Sequence, residues 1–232
     1  MSSSPSSGPL EGSPLPPATD SARQSRASSA RSRIVVADLG SGNLRSVEKA
    51  LTAVGAQAIV SADAEVVARA DKLVVPGQGA FGACAAALDG GGGALRQALG
   101  DFLHSGRPFF GICIGMQLLF ERSDENPEAR GLGLLPGRVR RFVDRPGLKI
   151  PHMGWNRTRR GPAAGDAADG AFYYFVHSYY PDPARPEDVA LTSEHGAPFC
   201  CAVRRGPVFG TQFHPEKSQA AGLALLRGFA SA

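Results

Sequence analysis

No stretch of the sequence approaches the roughly 20 consecutive apolar residues that a membrane-spanning helix needs, and the opening MSSSPSSGPLEGS lacks the apolar run of a secretory signal. A soluble, cytoplasmic protein that does not engage membranes is therefore expected. Cysteine is scarce. Cys84, Cys113, Cys200 and Cys201 show no framework spacing, so reduced thiols are expected rather than bridges. Charge of one sign is scarce too: the formal net charge is +4 over 232 residues, and part of that excess comes from Arg23, Arg26, Arg31 and Arg33 near the start. The aromatic run from Phe172 to Tyr180 contains no lysine or arginine to track phosphates, which argues against nucleic acid as a partner. Metal-ligand spacing is absent as well. His104, His152, His177 and His195 form no ligand pattern and no acidic cluster suits magnesium or calcium, so neither a metal nor a cofactor is expected.

What is present divides at about residue 32. Residues 1–32 are dominated by Ser, Pro, Gly and Arg, with too little apolar surface to offset the entropy of ordering, and read as a disordered extension. From Arg33 to the C-terminus the texture is that of one domain. RIVVAD, a short apolar run, leads through the turn LGSGN into the helical pattern LRSVEKALTAV. QAIVS with EVVARA, and KLVVPGQG with the Ala-rich stretch to Leu88, repeat the strand-helix alternation, and Gly90 to Gly93 read as a loop. In the fourth cycle PFFGIC reads as a strand and MQLLFER as a helix. Such alternation predicts an α/β fold with a mixed, mainly parallel sheet flanked by helices. After Gly131 the strand-like runs GRVRRFV, AFYYFVHSYY, VALTSEH, PFCCAVRRG and PVFGTQFH predict antiparallel additions to that sheet, and AAGLALLRGFA predicts a last helix. Cys200 and Cys201, adjacent in one such strand, are expected on opposite faces as structural residues.

Two segments carry chemistry. GICIG places Cys113 between Gly111 and Gly115 at a strand-to-helix turn, the thiol counterpart of a nucleophile elbow. A sharp turn strains the nucleophile's backbone, flanking glycines allow close approach of strand and helix, and a helix N-terminus near an imidazole favours the thiolate. Far along the chain, GTQFHPEKS releases His214 and Glu216 just beyond an apolar strand, where active sites of such sheets lie. An imidazole there can take a thiol proton and return it to a leaving group, and a carboxylate two residues away can fix its tautomer. Cys113, His214 and Glu216 make a complete set for acyl transfer.

With DLGSGNLRSV, PGQGAF, GICIGMQLLFERSDE, GLGLLPGRVRRF, PHMGWN, FYYFVHSYY and FGTQFHPEKSQ, the chain from Ile34 onward resembles class I glutamine amidotransferases, and among them the glutaminase subunits of imidazole glycerol phosphate synthases in histidine biosynthesis. The resemblance implies a flavodoxin-like three-layer sandwich and a heterodimer with a barrel cyclase subunit that receives ammonia from glutamine. It implies Cys113 as nucleophile, with His214 and Glu216 handling the proton. The oxyanion would meet the backbone N–H of Ile114 and one from the Gly77-Gln78-Gly79 loop. Gln117 and Glu125 would hold the α-groups of glutamine with the backbone at Ser178 and Tyr179. Trp155, Asn156, Tyr174 and Lys217 would face the partner, with Trp155 in a Gly-containing loop. Leu39 stands where the family usually has an aromatic residue and Gln78 where it commonly has an aliphatic one, and the family rarely carries Gly90 to Gly93 or the extension. Rival readings are a glutaminase subunit of another pathway, such as pyridoxal phosphate synthesis, and a non-catalytic scaffold of the same fold.

Overall fold

The apolar runs of the first half become β1 (Ile34–Ala37), β3 (Lys72–Gly77) and β4 (Phe109–Cys113), each buried along its whole length. Strands with no solvated face must be covered on both sides. A computed structural model describes Met1, residues 33–165 and residues 167–232; the extension expected over 1–32 falls almost wholly outside them. Arg31–Ala232 form one unit by themselves. With β2 (Ala58–Ser61), β8 (Arg159–Arg160), β11 (Val189–Glu194), β12 (Pro198–Arg205) and β13 (Val208–Thr211), the three buried strands build an eight-stranded sheet. Its order is β2-β1-β3-β4-β13-β12-β11-β8. The strands from β2 to β13 pair in parallel, and β12, β11 and β8 are antiparallel additions. The mixed sheet matches the expected fold class, but GRVRRFV and AFYYFVHSYY, expected to extend it, go instead into two smaller sheets.

Helices follow from periodicity. In α1 (Leu44–Ala53) Asn43 caps the first turn by accepting from the Ser46 N–H, and Val47, Ala50 and Leu51 form the buried stripe. In α4 (Ala94–His104) the stripe is Leu95, Ala98, Leu99, Phe102 and Leu103. α1 connects β1 to β2, whereas α2 (Ala64–Ala68) leads from β2 back past β1 to β3. Right-handed crossovers place connections of opposite direction on opposite faces. Accordingly α1 packs with α6 (Gln219–Ser231), and α4 packs with α2 and α3 (Phe81–Asp89).

Four local expectations are corrected. Gly90–Gly93 form a short turn rather than an open loop, with Gly91, Gly92 and Gly93 at φ 61°, 76° and 78°, a left-handed run that only glycine sustains cheaply. MQLLFER is not a helix. α5 ends after one turn (Ile114–Gln117), and the chain becomes β5 (Phe120–Ser123) because the carbonyls of Leu118 and Phe120 accept from the N–H groups of Leu132 and Gly133. AFYYFVHSYY breaks at Ser178 into β9 (Phe172–His177) and β10 (Tyr179–Pro183), which belong to different sheets. β10 joins β6 (Leu135–Arg141) and β5; β9 pairs with β7 (His152–Arg157), so PHMGWN is a strand and not a loop.

α5 lies hard against the central strands. A Cβ on Gly115 would sit 1.7 Å from the Val75 carbonyl oxygen, and one on Gly111 would sit 2.7 Å from the Gly115 carbonyl oxygen. Gly115→Ala is expected to destabilise by more than about 3 kcal/mol, since backbone, not a flexible side chain, would have to move. Gly100→Ala in α4, where an added Cβ meets nothing within 4 Å, should stabilise by about 0.5–1 kcal/mol. Urea denaturation of both variants checks the contrast; equal effects would contradict it.

Candidate active site

β4 delivers Cys113 to its carboxyl end with φ 56° and ψ −110°, a conformation an L-residue adopts only under constraint. The constraint is the glycine-lined approach of α5 to β3 and β4. On the neighbouring strand, a Cβ on Gly77 would lie 2.7 Å from the Ile114 Cβ, so the Gly77-Gln78-Gly79 segment rests on the first turn of α5. Gly79 has φ 94°, and Gln78 is exposed. Cys113 is 4% exposed.

β13 runs beside β4 in parallel, Thr211 opposite Ile112, so the chain leaving β13 passes the Cys113 turn. His214 is held there by its N–H to the Tyr174 carbonyl, 3.0 Å, and by its own carbonyl, which accepts from the Ser218 hydroxyl at 2.6 Å. A short turn over Pro215–Lys217 returns Glu216 to the ring, and Nδ1 meets Glu216 Oε1 at 2.8 Å. Both side chains are almost completely enclosed. Glu216 therefore pairs with the imidazole, with no bond to the adjacent Lys217. With Nδ1 engaged, Nε2 is the nitrogen left to exchange a proton, and no hydrogen bond from the described residues occupies it. Burial opposes protonation of His214, but its interactions with Cys113 and Glu216 outweigh that and hold the imidazole up to about 9.

Cys113 and His214 line one cavity of about 270 Å³ together with Gln78, Gly79, Ile114, Gln117, Glu125, Ser178 and Tyr179. It is smaller than the ~300–1,000 Å³ typical of drug-sized ligands, a scale suited to a single amino acid. A larger, more apolar cavity of about 370 Å³ beside α6, bordered by Pro108, Pro207, Phe209 and Leu225, has no cysteine, histidine or side-chain carboxylate among the described residues of its lining. Volume alone does not locate the chemistry.

Gln117 is buried, with Nε2 donating to the Tyr179 carbonyl at 3.2 Å and to Gln212 Oε1 at 3.0 Å, and Oε1 without a partner among the described residues. Glu125 accepts from the Phe81 N–H at 2.8 Å while Asn126 accepts from that of Gly82 at 2.9 Å. Two remote side chains thus cap α3, whose own N-cap, Ala80, supplies no side-chain bond. Of the residues expected to face a partner, Trp155 and Tyr174 are cross-strand neighbours with ring centroids 6.2 Å apart. Lys217 is half-buried in the turn that carries Glu216. Asn156 alternates to the other side of β7, where its amide donates to the Glu194 carbonyl at 2.8 Å.

One residue escaped the sequence reading. Gln212, fully buried, donates from Nε2 towards Cys113 Sγ at 3.6 Å and accepts from Gln117. The available signal was its spacing, two residues before His214 as the chain leaves a strand, which puts both side chains on one side. Of the remaining thiols, Cys84 sits behind the Gly77-Gln78-Gly79 segment, 3.9 Å from the Gln78 carbonyl oxygen, and burial raises it; burial also pushes Cys200 up to about 12 and Cys201 well above the ordinary thiol value. Among the described residues no group of three or more His, Cys, Asp or Glu side chains could hold a metal ion, and no helix is long and apolar enough to cross a membrane.

A thiol on a strained turn, a carboxylate-tied imidazole and a small cavity are the parts that acyl transfer requires. Comparison with known proteins agrees. Residues 35–230 match the family model described as glutamine amidotransferase class-I. The chain is 48% identical over 205 residues to imidazole glycerol phosphate synthase subunit HisH of Geobacter metallireducens, covering 85% of this chain and 97% of that protein. It is 46% identical over 201 residues to the subunit of the same name from Rhodopirellula baltica, covering 86% and 97%, and 44% identical over 198 residues to that of Methanothermobacter thermautotrophicus, covering 84% and 96%. A crystal structure of a glutamine amidotransferase superposes with TM-score 0.66 at 22% identity, covering 85% of this chain and 99% of the other. PurLQS from Thermotoga maritima does so with TM-score 0.66 at 18% identity, covering 87% and 100%, so both share the fold. The chain belongs to the class I glutamine amidotransferase family.

Proposed function

We propose that this chain is the glutaminase subunit of an imidazole glycerol phosphate synthase, working in the cytoplasm, which hydrolyses glutamine through Cys113, His214 and Glu216 and delivers the ammonia to a barrel cyclase subunit. There the ammonia enters imidazole glycerol phosphate and aminoimidazole carboxamide ribotide formation. The observation that carries the reading is the fixed imidazole: Glu216 holds Nδ1, leaving Nε2 for the thiol that shares its cavity.

The steps follow from these positions. Cys113 attacks the glutamine side-chain carbonyl carbon as a thiolate, its proton resting on His214 Nε2. The tetrahedral oxyanion is met by the Ile114 N–H and an N–H of the Gly77-Gln78-Gly79 loop, in the role where one donor is typically worth ~2.7–4 kcal/mol. His214 gives its proton to the departing nitrogen, ammonia leaves, and a glutamyl thioester remains on Cys113. Water, deprotonated by His214, attacks the thioester and releases glutamate. Gln212 holds the sulfur in place through its amide N–H. Gln117, whose Oε1 has no partner among the described residues, and Glu125 take the substrate's α-ammonium, and the backbone at Ser178 and Tyr179 takes the α-carboxylate.

A partner surface is supported by the outer face of the β7–β9 ribbon. Met153, Trp155 and Phe172 are 63%, 47% and 55% exposed, and alternation puts them on one side with Tyr174 and Val176. Val176 also lines the cavity. A subunit seated on these side chains, with Trp155 as anchor and Asn156 and Lys217 at the margin, would stand at the cavity mouth.

Three outcomes are expected. In the reconstituted complex, with ammonia and cyclised product measured together, Cys113→Ala should lower glutamine-dependent kcat/KM by at least about 10⁴-fold while added ammonia still supports cyclisation. Unchanged ammonia release would leave the scaffold reading instead. Gln212→Leu should cost about tenfold to a hundredfold, the size of a hydrogen bond to a charged group, and a wild-type rate would remove Gln212 from the site. The third concerns charge. Because the folded-state value for His214, about 9, lies above the ordinary 6.5, the protonated ring stabilises the fold fully below about 6.5, and this contribution is lost as pH rises through about 9. Imidazole NMR titration should give a value near 9 for the wild type and a lower one for Cys113→Ala; identical curves would mean that thiol and imidazole are not coupled.

A further inference from the structure

Two buried histidines have no role in the steps above, although one of them, His177, borders the cavity. His152 on β7 and His177 on β9 are cross-strand neighbours on the inner face of the ribbon, packed among Phe142, Phe175 and Phe199. His152 Nδ1 lies 2.9 Å from His177 Nε2, His177 Nδ1 lies 2.8 Å from the Tyr179 carbonyl oxygen, and Asn156 Nδ2 lies 3.1 Å from His152 Nε2. Burial, with the neighbouring imidazoles, pulls His152 down to about 4 and His177 to about 3, so both rings are neutral at neutral pH. The third histidine of the cluster, His195, packs its ring against His152 with centroids 4.4 Å apart and has its Nε2 against the Lys149 carbonyl at 2.9 Å.

A neutral imidazole has one donor and one acceptor, so the ends of this chain fix its middle. The Tyr179 carbonyl only accepts, which puts the His177 proton on Nδ1 and makes Nε2 an acceptor. His152 must then donate from Nδ1 and accept at Nε2, and Asn156 supplies that N–H. The Asn156 amide is oriented independently, because Nδ2 also faces the Glu194 carbonyl at 2.8 Å. Every proton runs the same way: Asn156 to His152 to His177 to Tyr179. One end adjoins Trp155 on the exposed ribbon. The other is the carbonyl that also accepts from Gln117 in the glutamine cavity.

We propose that Asn156, His152 and His177 are positioning residues forming a one-way hydrogen-bond relay that couples docking on the β7–β9 ribbon to the Tyr179 backbone of the glutamine site. The proposal rests on the glutaminase reading above. A partner group that draws the Asn156 amide away removes the donor at His152 Nε2. If His152 moves its proton to Nε2, its Nδ1 lone pair faces that of His177, which must switch in turn. The His177 Nδ1 lone pair then faces the Tyr179 carbonyl, and that peptide has to turn, changing what it offers to Gln117 and to substrate. An event at the surface thus becomes a peptide reorientation beside Cys113, with no proton gained or lost overall.

Nitrogen-15 NMR of the imidazoles in the full chain provides the first test. Both rings should be neutral Nδ1–H tautomers at neutral pH; an Nε2–H tautomer or a charged ring at either position overturns the relay whatever the activity. The second test uses the complex with saturating cyclase. His152→Phe fills the aromatic cage without a donor and should raise KM for glutamine about tenfold and lower cyclase-dependent activation of glutaminase by a similar factor, whereas His152→Gln, which keeps a donor and an acceptor, should restore both to within about threefold. Should His152→Phe fail to fold, Asn156→Asp at the half-exposed end, lacking the donated N–H, should shift KM and activation in the same direction. Folded His152→Phe or Asn156→Asp complexes with wild-type KM and activation overturn the proposal. A wild-type complex without glutaminase activity would instead sink the functional reading, leaving the tautomer result to judge the relay.

Discussion

Everything at the site depends on how closely the backbone of α5 presses onto β3 and β4. A Cβ on Gly111, Gly115 or Gly77 would each fall under 3.0 Å from a neighbouring atom, so no side chain fits between these elements. Absence of those side chains brings the start of α5 against the sheet directly after β4, without an intervening loop. Cys113 absorbs the change of direction in its own backbone. The strain is local, and the surrounding packing of fully buried strands over-determines it. A looser turn would leave room for a relaxed cysteine, but it would also separate Ile114 from the Gly77-Gln78-Gly79 segment.

Topology supplies the second half of the site. Gly77 pairs with Cys113 across β3 and β4, and Thr211 pairs with Ile112 across β4 and β13. Because these three strands run parallel, all three chains exit at one edge, and residues far apart in sequence emerge side by side. His214 needs only three residues beyond β13 to reach that edge. The turn that follows is pinned by α6, where a Cβ on Gly222 would sit 1.9 Å from the Pro215 carbonyl oxygen. Helix packing on the far side of the turn therefore contributes to where Glu216 points, and a carboxylate fixed in that way selects the imidazole tautomer.

How much of this was legible in the sequence depends on how local the determinant is. IVVA, KLVVPG and FFGIC are apolar runs bounded by turn residues, and their strands stand where the pattern puts them. The spacing of Gly111, Cys113 and Gly115 announced a close-packed turn, since the glycines matter for contacts a few residues away. MQLLFER was not legible. Leu118, Leu119 and Phe120 are all fully buried, and a continuous apolar run carries no period to separate helix from strand. Its fate was decided by Leu132 and Gly133, whose N–H groups claim its carbonyls. PHMGWN misled for the converse reason, because Gly154 suggested a loop while the strand is completed by pairing with β9. The burial of Gln117 and the placement of Gln212 against the thiol depend on three-dimensional convergence that no short window contains.

The ribbon of β7 and β9 illustrates a different economy. A strand has two faces and a period of two, so adjacent residues are committed to opposite environments. Outward go Met153, Trp155, Phe172, Tyr174 and Val176; inward go His152, Asn156, Tyr173, Phe175 and His177. A register slip of one residue would bury the tryptophan and expose both imidazoles. Such a ribbon cannot alter its outer face without moving its inner one, because the two share a backbone about one residue thick. The Tyr174 main chain already shows this economy: its carbonyl accepts from the His214 N–H, and its own N–H donates to Ser218, whose hydroxyl holds the His214 carbonyl. The exposed aromatic face is thus tied through main-chain atoms to the imidazole on one side and through the buried histidines to Tyr179 on the other. That double attachment gives the outer surface of a small sheet a physical route to both ends of the cavity.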